Sequence, residues 1–306
     1  MSFIAFGLLA AFAAAPVAAE TWRRPMTREA QARAPGQFAE LPKGRTHFRW
    51  SGPVNGPIAV CIHGLSTPSY LFAGTERSLA ALGYRVLTYD LYGRGYSDRA
   101  TGRQTIDFLL AQLRDLLGNQ GIDEPLTLVG FSMGGALATA FAAEEGKRIK
   151  SLVLIAPAGL VQPQDDPLAR LWTFPAIGDW LMRVAGGWAL RRELAAQIND
   201  PTIIPDLLDR QAAETRTRGY LPALLSSRRH ALSGTLDDDH AAIRGYGTPV
   251  LAIWGRLDPV IPIRAMARLT ELNPECHHVE IQDGGHCLPQ THPSNIAEAL
   301  QTFLLH

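Results

Sequence analysis

The segment at residues 126–145, LTLVGFSMGGALATAFAAEE, constrains the fold most, because an apolar run passes without a loop into a helix-forming run. Glycine stands two residues before Ser132, at Gly130, and two residues after it, at Gly134. A buried strand that turns directly into a helix needs such glycines, because the tight turn leaves no space for neighbouring side chains. We therefore predict that the turn presents Ser132 as a nucleophile; the alternative is a glycine-rich turn with a capping serine.

Short apolar runs alternate with helical segments over most of the chain. The candidate strands, several of them apolar throughout, are residues 58–64, 85–90, 126–131, 151–156, 249–255 and 276–281. The candidate helices between and after them are residues 74–82, 105–117, 133–145 and 293–305. Continuous apolar strands alternating with helices are typical of a mostly parallel sheet that helices cover on both faces. The predicted fold class is therefore α/β.

One long segment interrupts this alternation. Residues 157–246 contain apolar helical stretches broken by proline and glycine, and no convincing strand. Ligands of open α/β sheets bind at the carboxyl edge of the strands, so an insertion there would cover a substrate. We predict a core made of residues 45–156 and 247–306, with residues 157–246 as an inserted helical cap.

Composition excludes several classes of protein. The formal net charge is zero and no Lys or Arg run stands out, which argues against a nucleic-acid partner. The three cysteines, Cys61, Cys276 and Cys287, are too scattered to indicate a disulfide scaffold or a metal site, so we expect no metal. A single bridge between Cys276 and Cys287 stays open if the protein is exported.

The first nineteen residues, MSFIAFGLLAAFAAAPVAA, are apolar and uncharged, and Arg23 and Arg24 follow them. Their length and small-residue ending fit either a cleaved signal peptide or a retained membrane anchor. Residues 1–20 are therefore set apart from the fold. We expect an exported protein, or one that associates with a membrane through residues 1–19.

A serine hydroxyl needs a base, and the base needs an orienting carboxylate. His286 follows the last candidate strand in the glycine-flanked loop QDGGHCLPQTHP, and Asp258 follows the strand PVLAIWG. Both would lie at the same sheet edge as Ser132, so we predict a triad of these three residues. His292 and Asp90 are the weaker alternatives for base and carboxylate.

Acyl transfer also requires hydrogen-bond donors for a developing oxyanion. The backbone N–H of Met133, directly after the serine, is one candidate donor. The loop CIHGLSTPS, after the first apolar strand, offers the N–H of Leu65 as the other. The same loop places Ser66 beside the expected pocket.

In their order and spacing, the motifs IAVCIHGLS, YDLYGRGYSD, LVGFSMGGALA, LAIWGRLDPVIP and DGGHCLPQTHP resemble the capped α/β-hydrolase superfamily. The resemblance covers residues 45–305 and implies a serine hydrolase without a cofactor. Epoxide hydrolases and haloalkane dehalogenases of this superfamily carry aspartate where this chain has Ser132. The similarity is greater to carboxylesterases and monoacylglycerol-lipase-like enzymes, which implies a small-molecule ester substrate with an apolar acyl group.

Two other functions stay open. Carbon–carbon hydrolases of aromatic degradation typically have asparagine before the serine and tryptophan after the histidine, where this chain has Phe131 and Cys287. A non-enzymatic ligand receptor can also retain a complete triad. The apolar cap residues Trp172 and Trp180, together with Phe131, are candidate substrate contacts. The sequence predicts no oligomeric state.

Overall fold

A computed structural model describes residues 2–161, 171–197 and 202–305. Eight strands form one sheet in the order β1-β2-β4-β3-β5-β6-β7-β8 within these residues. The strands are β1 Gln37–Leu41, β2 Gly44–Ser51, β3 Ile58–Ile62, β4 Arg85–Tyr89, β5 Leu126–Phe131, β6 Ile149–Ile155, β7 Val250–Gly255 and β8 His277–Ile281. β1 and β2 pair in antiparallel fashion, as do β2 and β4, while all other neighbours are parallel.

The predicted α/β class is confirmed, since all six candidate strands are present, in a mostly parallel sheet. The antiparallel pair β1–β2 was not predicted. It begins at Gln37, before the predicted start of the core at residue 45, and its first strand is largely exposed. A strand that buries few side chains lacks the continuous apolar run by which the central strands were recognised.

Helices cover the sheet and extend beyond it. The described helices are α1 Ser2–Trp22, α2 Arg28–Ala32, α3 Ala73–Ala81, α4 Ile106–Asn119, α5 Met133–Glu145, α6 Ile177–Leu181, α7 Gly187–Gln197, α8 Leu207–Thr215, α9 Tyr220–His230, α10 Asp237–Tyr246, α11 Arg264–Leu272, α12 Leu288–Thr291 and α13 Pro293–Leu304. A π-helical turn, Met182–Gly186, joins α6 to α7.

The sheet has an apolar core on each face. In β3, Val60 and Ile62 point to one face, where α4, α5 and α10 pack, while Ala59 and Cys61 point to the other, where α3 and α13 pack. Successive strand side chains alternate between faces, so a strand buried on both sides must be apolar throughout. This explains why IAVCI is a continuous apolar run.

Helices α6 to α9 form an insertion between β6 and β7, within the segment predicted as a cap. Their apolar side chains, including Met182, Tyr220 and Leu224, form a cluster of their own. The last helix of the segment, α10, instead packs on α5, and its Ile243 belongs to the core of the sheet. Residues 162–170 and 198–201, which the cap prediction included, lie outside the described residues.

Helix α1 carries the apolar N-terminal segment. Its residues Phe3–Trp22 are long and apolar enough to cross a membrane, by length and composition, although a signal sequence would meet the same criterion. Its large side chains are exposed, among them Phe3, Phe6 and Leu9. Cys276 and Cys287 form no disulfide with each other.

The turn from β5 into α5 brings the backbone of α5 into contact with the backbone at the end of β3. A Cβ on Gly134 would lie 1.9 Å from the carbonyl oxygen of Ile62 and 2.6 Å from that of His63. A Cβ on Gly130 would lie 2.4 Å from the carbonyl oxygen of Gly134. Backbone atoms of a central strand cannot move aside, so α5 reaches this position only because these two residues have no side chain.

We expect Gly134→Ala to lower the free energy of unfolding by about 3 kcal/mol or more, because the methyl group forces the core apart. Gly118→Ala, in α4, is the matched control, since nothing lies within 4 Å of its Cβ position. That variant should be neutral or more stable by about 0.5–1 kcal/mol. Urea denaturation of both variants tests the contact, and equal stability of the two would refute it.

Candidate active site

Ser132 occupies the predicted sharp turn. Its φ is 53° and its ψ is −120°, a conformation that non-glycine residues rarely adopt. The surrounding backbone holds it: the N–H of Ser132 donates to the carbonyl of Ile155, and the N–H of Ala158 donates to the carbonyl of Ser132. The strained backbone aims the hydroxyl away from the sheet, as expected of a nucleophile at the end of a parallel strand.

The loop after β8 brings His286 to this hydroxyl. Its Nε2 lies 3.0 Å from Ser132 Oγ, and its Nδ1 lies 2.8 Å from Asp258 Oδ2. A carboxylate can only accept a hydrogen bond, so the imidazole proton lies on Nδ1 and leaves Nε2 to accept the serine proton. The structure therefore brings together the three side chains selected from the sequence.

Asp258 is fixed in place by the backbone of its own loop. Its Oδ1 accepts from the N–H groups of Val260 and Ile261 at 2.7 and 2.8 Å, which leaves Oδ2 to face His286. The carboxyl group is buried. A buried carboxylate with two backbone donors can hold the imidazole in one orientation and stabilise it when it becomes charged.

Two backbone N–H groups beside the serine are available as donors. Met133 is the first residue of α5, where helical N–H groups have no partner within the helix. Leu65 lies in the loop that follows β3. No backbone hydrogen bond in the described part of the chain uses the N–H of either residue. Both N–H groups are therefore available to another acceptor, and their role as donors to an oxyanion stays a prediction.

Asp90, at the end of β4, fixes the loop that carries Leu65. Its Oδ1 accepts from both the N–H and the hydroxyl of Ser69, at 2.9 and 2.6 Å. Its Oδ2 accepts from the N–H of Tyr96 and lies 2.8 Å from His47 Nδ1. Asp90 therefore contacts a different histidine from the candidate base, and it is not the carboxylate of the triad.

The cap also holds this loop. The buried Arg94 donates through Nε to the carbonyl of Leu65 and through a terminal nitrogen to Ser227 Oγ in α9. The hydroxyl of Tyr220 donates to the carbonyl of Ser66 at 2.6 Å, and Gln211 in α8 donates to Thr67 Oγ1. These bonds connect the position of the Leu65 loop to the position of the cap.

The three aromatic residues predicted as substrate contacts pack on different parts of the structure. The Phe131 ring lies beside the His286 ring, with 5.1 Å between ring centres. Trp172 packs on the apolar cluster of the cap, which Leu65 also contacts. Trp180 stacks on Phe12 of α1, with 4.5 Å between ring centres, and its indole N–H donates to the Phe12 carbonyl.

Arg94 and Tyr220 were not selected from the sequence as residues of the site, and Asp90 was considered only as an alternative carboxylate of the triad. YDLYGRGYSD otherwise contributed only to the family resemblance, and the available signal was two of its charged residues, Asp90 and Arg94, after an apolar strand. Both are buried in the structure, and buried charged side chains need hydrogen-bond partners.

No group of three His, Cys, Asp or Glu side chains in residues 2–161, 171–197 and 202–305 is arranged to hold a metal ion.

Two buried histidines near the Leu65 loop, His47 and His63, have pKa values that are shifted in opposite directions. Both ring nitrogens of His47 face acceptors, Asp90 Oδ2 and the carbonyl of Pro35 at 2.6 Å. Burial lowers the pKa of His47, but these two acceptors outweigh it and the pKa is raised. His63 instead donates to the Gly64 carbonyl and accepts from the N–H of Leu91, and burial lowers its pKa to about 4. The raised pKa of His47 therefore favours the protonated ring, which can donate to both Asp90 and the Pro35 carbonyl.

The chain matches a known protein family. Residues 57–293 match the family model described as alpha/beta hydrolase fold. A 2-hydroxymuconate semialdehyde hydrolase of Pseudomonas putida is 28% identical over 273 residues, which cover 85% of this chain and 90% of that protein. Monoacylglycerol lipase abhd6-B of Xenopus laevis is 23% identical over 302 residues, covering 92% of this chain and 84% of that protein.

Among solved structures, the enol-lactonase from Burkholderia xenovorans LB400 superposes with a TM-score of 0.74 at 21% identity. The match covers 88% of this chain and 100% of that one. At this identity the likeness shows the fold alone.

We expect the free energy of unfolding to fall as the pH rises through the raised pKa of His47. The stabilisation is complete below the unfolded-state pKa, about 6.5, and is lost above the folded-state pKa, because a neutral ring cannot donate to both acceptors. His47→Gln should flatten this dependence. His240→Gln is the control above about pH 7.5, because burial lowers the pKa of His240 to about 4, so that this side chain is then neutral in both the folded and the unfolded state. Urea denaturation between pH 6 and pH 9 tests this; an unchanged slope in His47→Gln would contradict it.

Proposed function

Because this chain belongs to the α/β-hydrolase family, we propose that it cleaves carboxylic esters through an acyl-enzyme intermediate on Ser132. The observation that carries the proposal is the continuous hydrogen-bonded series from Ser132 Oγ through His286 to Asp258. A serine hydroxyl becomes a useful nucleophile when a neutral imidazole accepts its proton, and the imidazole is effective when a carboxylate orients it.

In the first half of the proposed reaction, Ser132 Oγ attacks the ester carbonyl while His286 Nε2 takes the hydroxyl proton. The carbonyl oxygen becomes an oxyanion, which the N–H groups of Leu65 and Met133 bind. Asp258 stabilises the imidazolium without taking its proton. His286 then protonates the leaving alcohol, and the acyl group stays on Ser132.

The second half repeats these steps with water. His286 removes a proton from the water molecule, which attacks the acyl carbonyl, and the same two N–H groups bind the second oxyanion. Collapse of this intermediate releases the carboxylic acid, and Ser132 recovers its proton from His286. No further group is needed to balance the reaction.

An apolar acyl group is the proposed substrate feature. Phe131 lies beside His286, and Leu65 contacts the apolar cluster formed by Met182, Tyr220 and Leu224 of the cap. Apolar surfaces with a few convergent polar groups are typical of sites that bind small apolar ligands. The similarity to a monoacylglycerol lipase supports esters of this kind. Trp172, on the same cluster, is proposed as a substrate contact.

Carbon–carbon bond hydrolysis is the second candidate function. A Pseudomonas putida relative named as a 2-hydroxymuconate semialdehyde hydrolase favours it. The residues beside the triad favour the ester, because Phe131 and Cys287 occupy the positions where carbon–carbon hydrolases typically have asparagine and tryptophan. The same triad serves both reactions, so only the substrate separates them.

Steady-state hydrolysis of p-nitrophenyl esters, from acetate to palmitate, tests the proposal. We expect turnover by the wild-type chain and a fall in kcat of about 10⁴-fold or more in Ser132→Ala, because the nucleophile is lost. Ser233→Ala is the matched control, since Ser233 is exposed and its hydroxyl donates only to the His230 carbonyl. This variant should keep wild-type turnover.

A vinylogous 1,5-diketone acid is assayed in parallel. Turnover of the esters and not of the diketone would support the esterase. Turnover of the diketone at a much higher kcat/KM would replace it with carbon–carbon hydrolysis, and equal ester turnover in Ser132→Ala would reject the triad in either role.

A further inference from the structure

The end of α1 is attached to the cap by hydrogen bonds and one ion pair, several of them partly buried. Glu20 accepts from the N–H of Gly219, and Arg218 donates to the carbonyls of Glu20 and Thr21. Arg23 donates to the carbonyls of Thr215 and Arg183, and forms an ion pair with Glu20. Together with the contact between Trp180 and Phe12, these bonds hold the second half of the helix along the cap. The remaining surface of the helix carries exposed apolar side chains.

A crevice opens where α1 meets the cap. Its lining combines arginine and tryptophan side chains from α1, α7 and the α8–α9 connection: Trp22, Arg23, Arg24, Trp188, Arg191 and Arg216. The two tryptophans are strongly exposed, Trp22 at 89% and Trp188 at 60%. Neither ring is used to fill the protein core.

Two of these arginines have no assigned partner. The side chains of Arg24 and Arg216 are exposed and make no hydrogen bond or ion pair with the described residues. Arg191 donates to Thr215 Oγ1. No Asp or Glu side chain belongs to the lining, as far as the described residues form it. The crevice is therefore positively charged, and the guanidinium groups of Arg24 and Arg216 have hydrogen-bond donors available for a ligand.

We propose that this crevice binds the phosphate-bearing headgroup of an anionic phospholipid in the bilayer that α1 enters. The positive charge of the arginines and the two exposed tryptophan rings both fit this ligand. Arginine forms paired hydrogen bonds with phosphate, and tryptophan concentrates at the level of lipid headgroups, where one part of the ring is apolar and the N–H is polar. The crevice lies at the boundary between the apolar helix and the polar protein, which is the level where headgroups would lie.

The same placement would bring the cap to the membrane surface. The cap carries exposed apolar side chains at Phe174, Ile177 and Val184, and α6 contacts α1 directly. Apolar side chains beside an inserted helix lose contact with water when they enter the interfacial region. The headgroup crevice would thus fix which side of the protein faces the lipid. It does not depend on the proposed ester hydrolysis.

The test uses the full chain reconstituted into vesicles of phosphatidylcholine and phosphatidylglycerol, with brominated acyl chains on only one of the two lipids. Bromine quenches nearby tryptophan emission. We expect brominated phosphatidylglycerol to quench more strongly at equal mole fraction, with a relative association constant of about fivefold, comparable to one arginine–lipid charge contact. Trp22→Phe combined with Trp188→Phe should remove this lipid-specific part of the quenching.

Arg24→Gln combined with Arg216→Gln should abolish the preference for phosphatidylglycerol. Arg77→Gln combined with Arg244→Gln is the matched control, because both side chains are exposed and lie on α3 and α10. It changes the net charge equally and should keep the preference. Thermal unfolding of each variant confirms that it is folded, without relying on activity.

Equal quenching by the two lipids in the wild-type chain would overturn the proposal. So would an unchanged preference in the Arg24 and Arg216 double variant, or an equal loss in the control variant. Inorganic phosphate is compared with chloride at the same ionic strength. If phosphate alone removes the preference, the crevice binds free anions and the assignment to a lipid is wrong; equal effects of the two salts support the lipid.

Discussion

The close contact between α5 and the end of β3 is the constraint on which the site depends. Gly134 lies against the Ile62 and His63 carbonyls, so the helix starts directly at the edge of the central strands. This position brings the start of α5 to the loop that carries Leu65, since a Cβ on Gly64 would lie 3.2 Å from Ser132 Cβ. A larger residue at position 134 would move α5, and with it Ser132 and Met133, away from the loop that carries Leu65.

The parallel sheet then assembles the rest of the site from distant parts of the chain. Leu65 follows β3, Ser132 follows β5, Asp258 follows β7 and His286 follows β8. Parallel strands end at a common edge, so residues 154 positions apart, Ser132 and His286, lie within hydrogen-bonding distance. Asp90, at the end of β4, adds a charged support for the Leu65 loop.

Features encoded within one short segment were easier to predict from the sequence than contacts between distant segments. The turn around Ser132 was predicted because its two glycines and flanking apolar runs lie within one short segment. The pairing of His47 with Asp90 was not, because 43 residues separate them and neither position has a distinctive neighbour pattern. Trp180 was selected by composition alone, which cannot tell a pocket residue from one that packs on α1. The β1–β2 pair was missed because it buries too few side chains to leave an apolar run.

The most direct measurement of the central claim is covalent labelling with a fluorophosphonate, followed by mass mapping of the modified peptide. An activated serine displaces fluoride, whereas an ordinary surface serine does not react. The account predicts one phosphonyl group per chain, attached to Ser132, with labelling that is lost on denaturation and greatly slowed in His286→Ala. An unmodified folded chain, or a label on another residue, would contradict it.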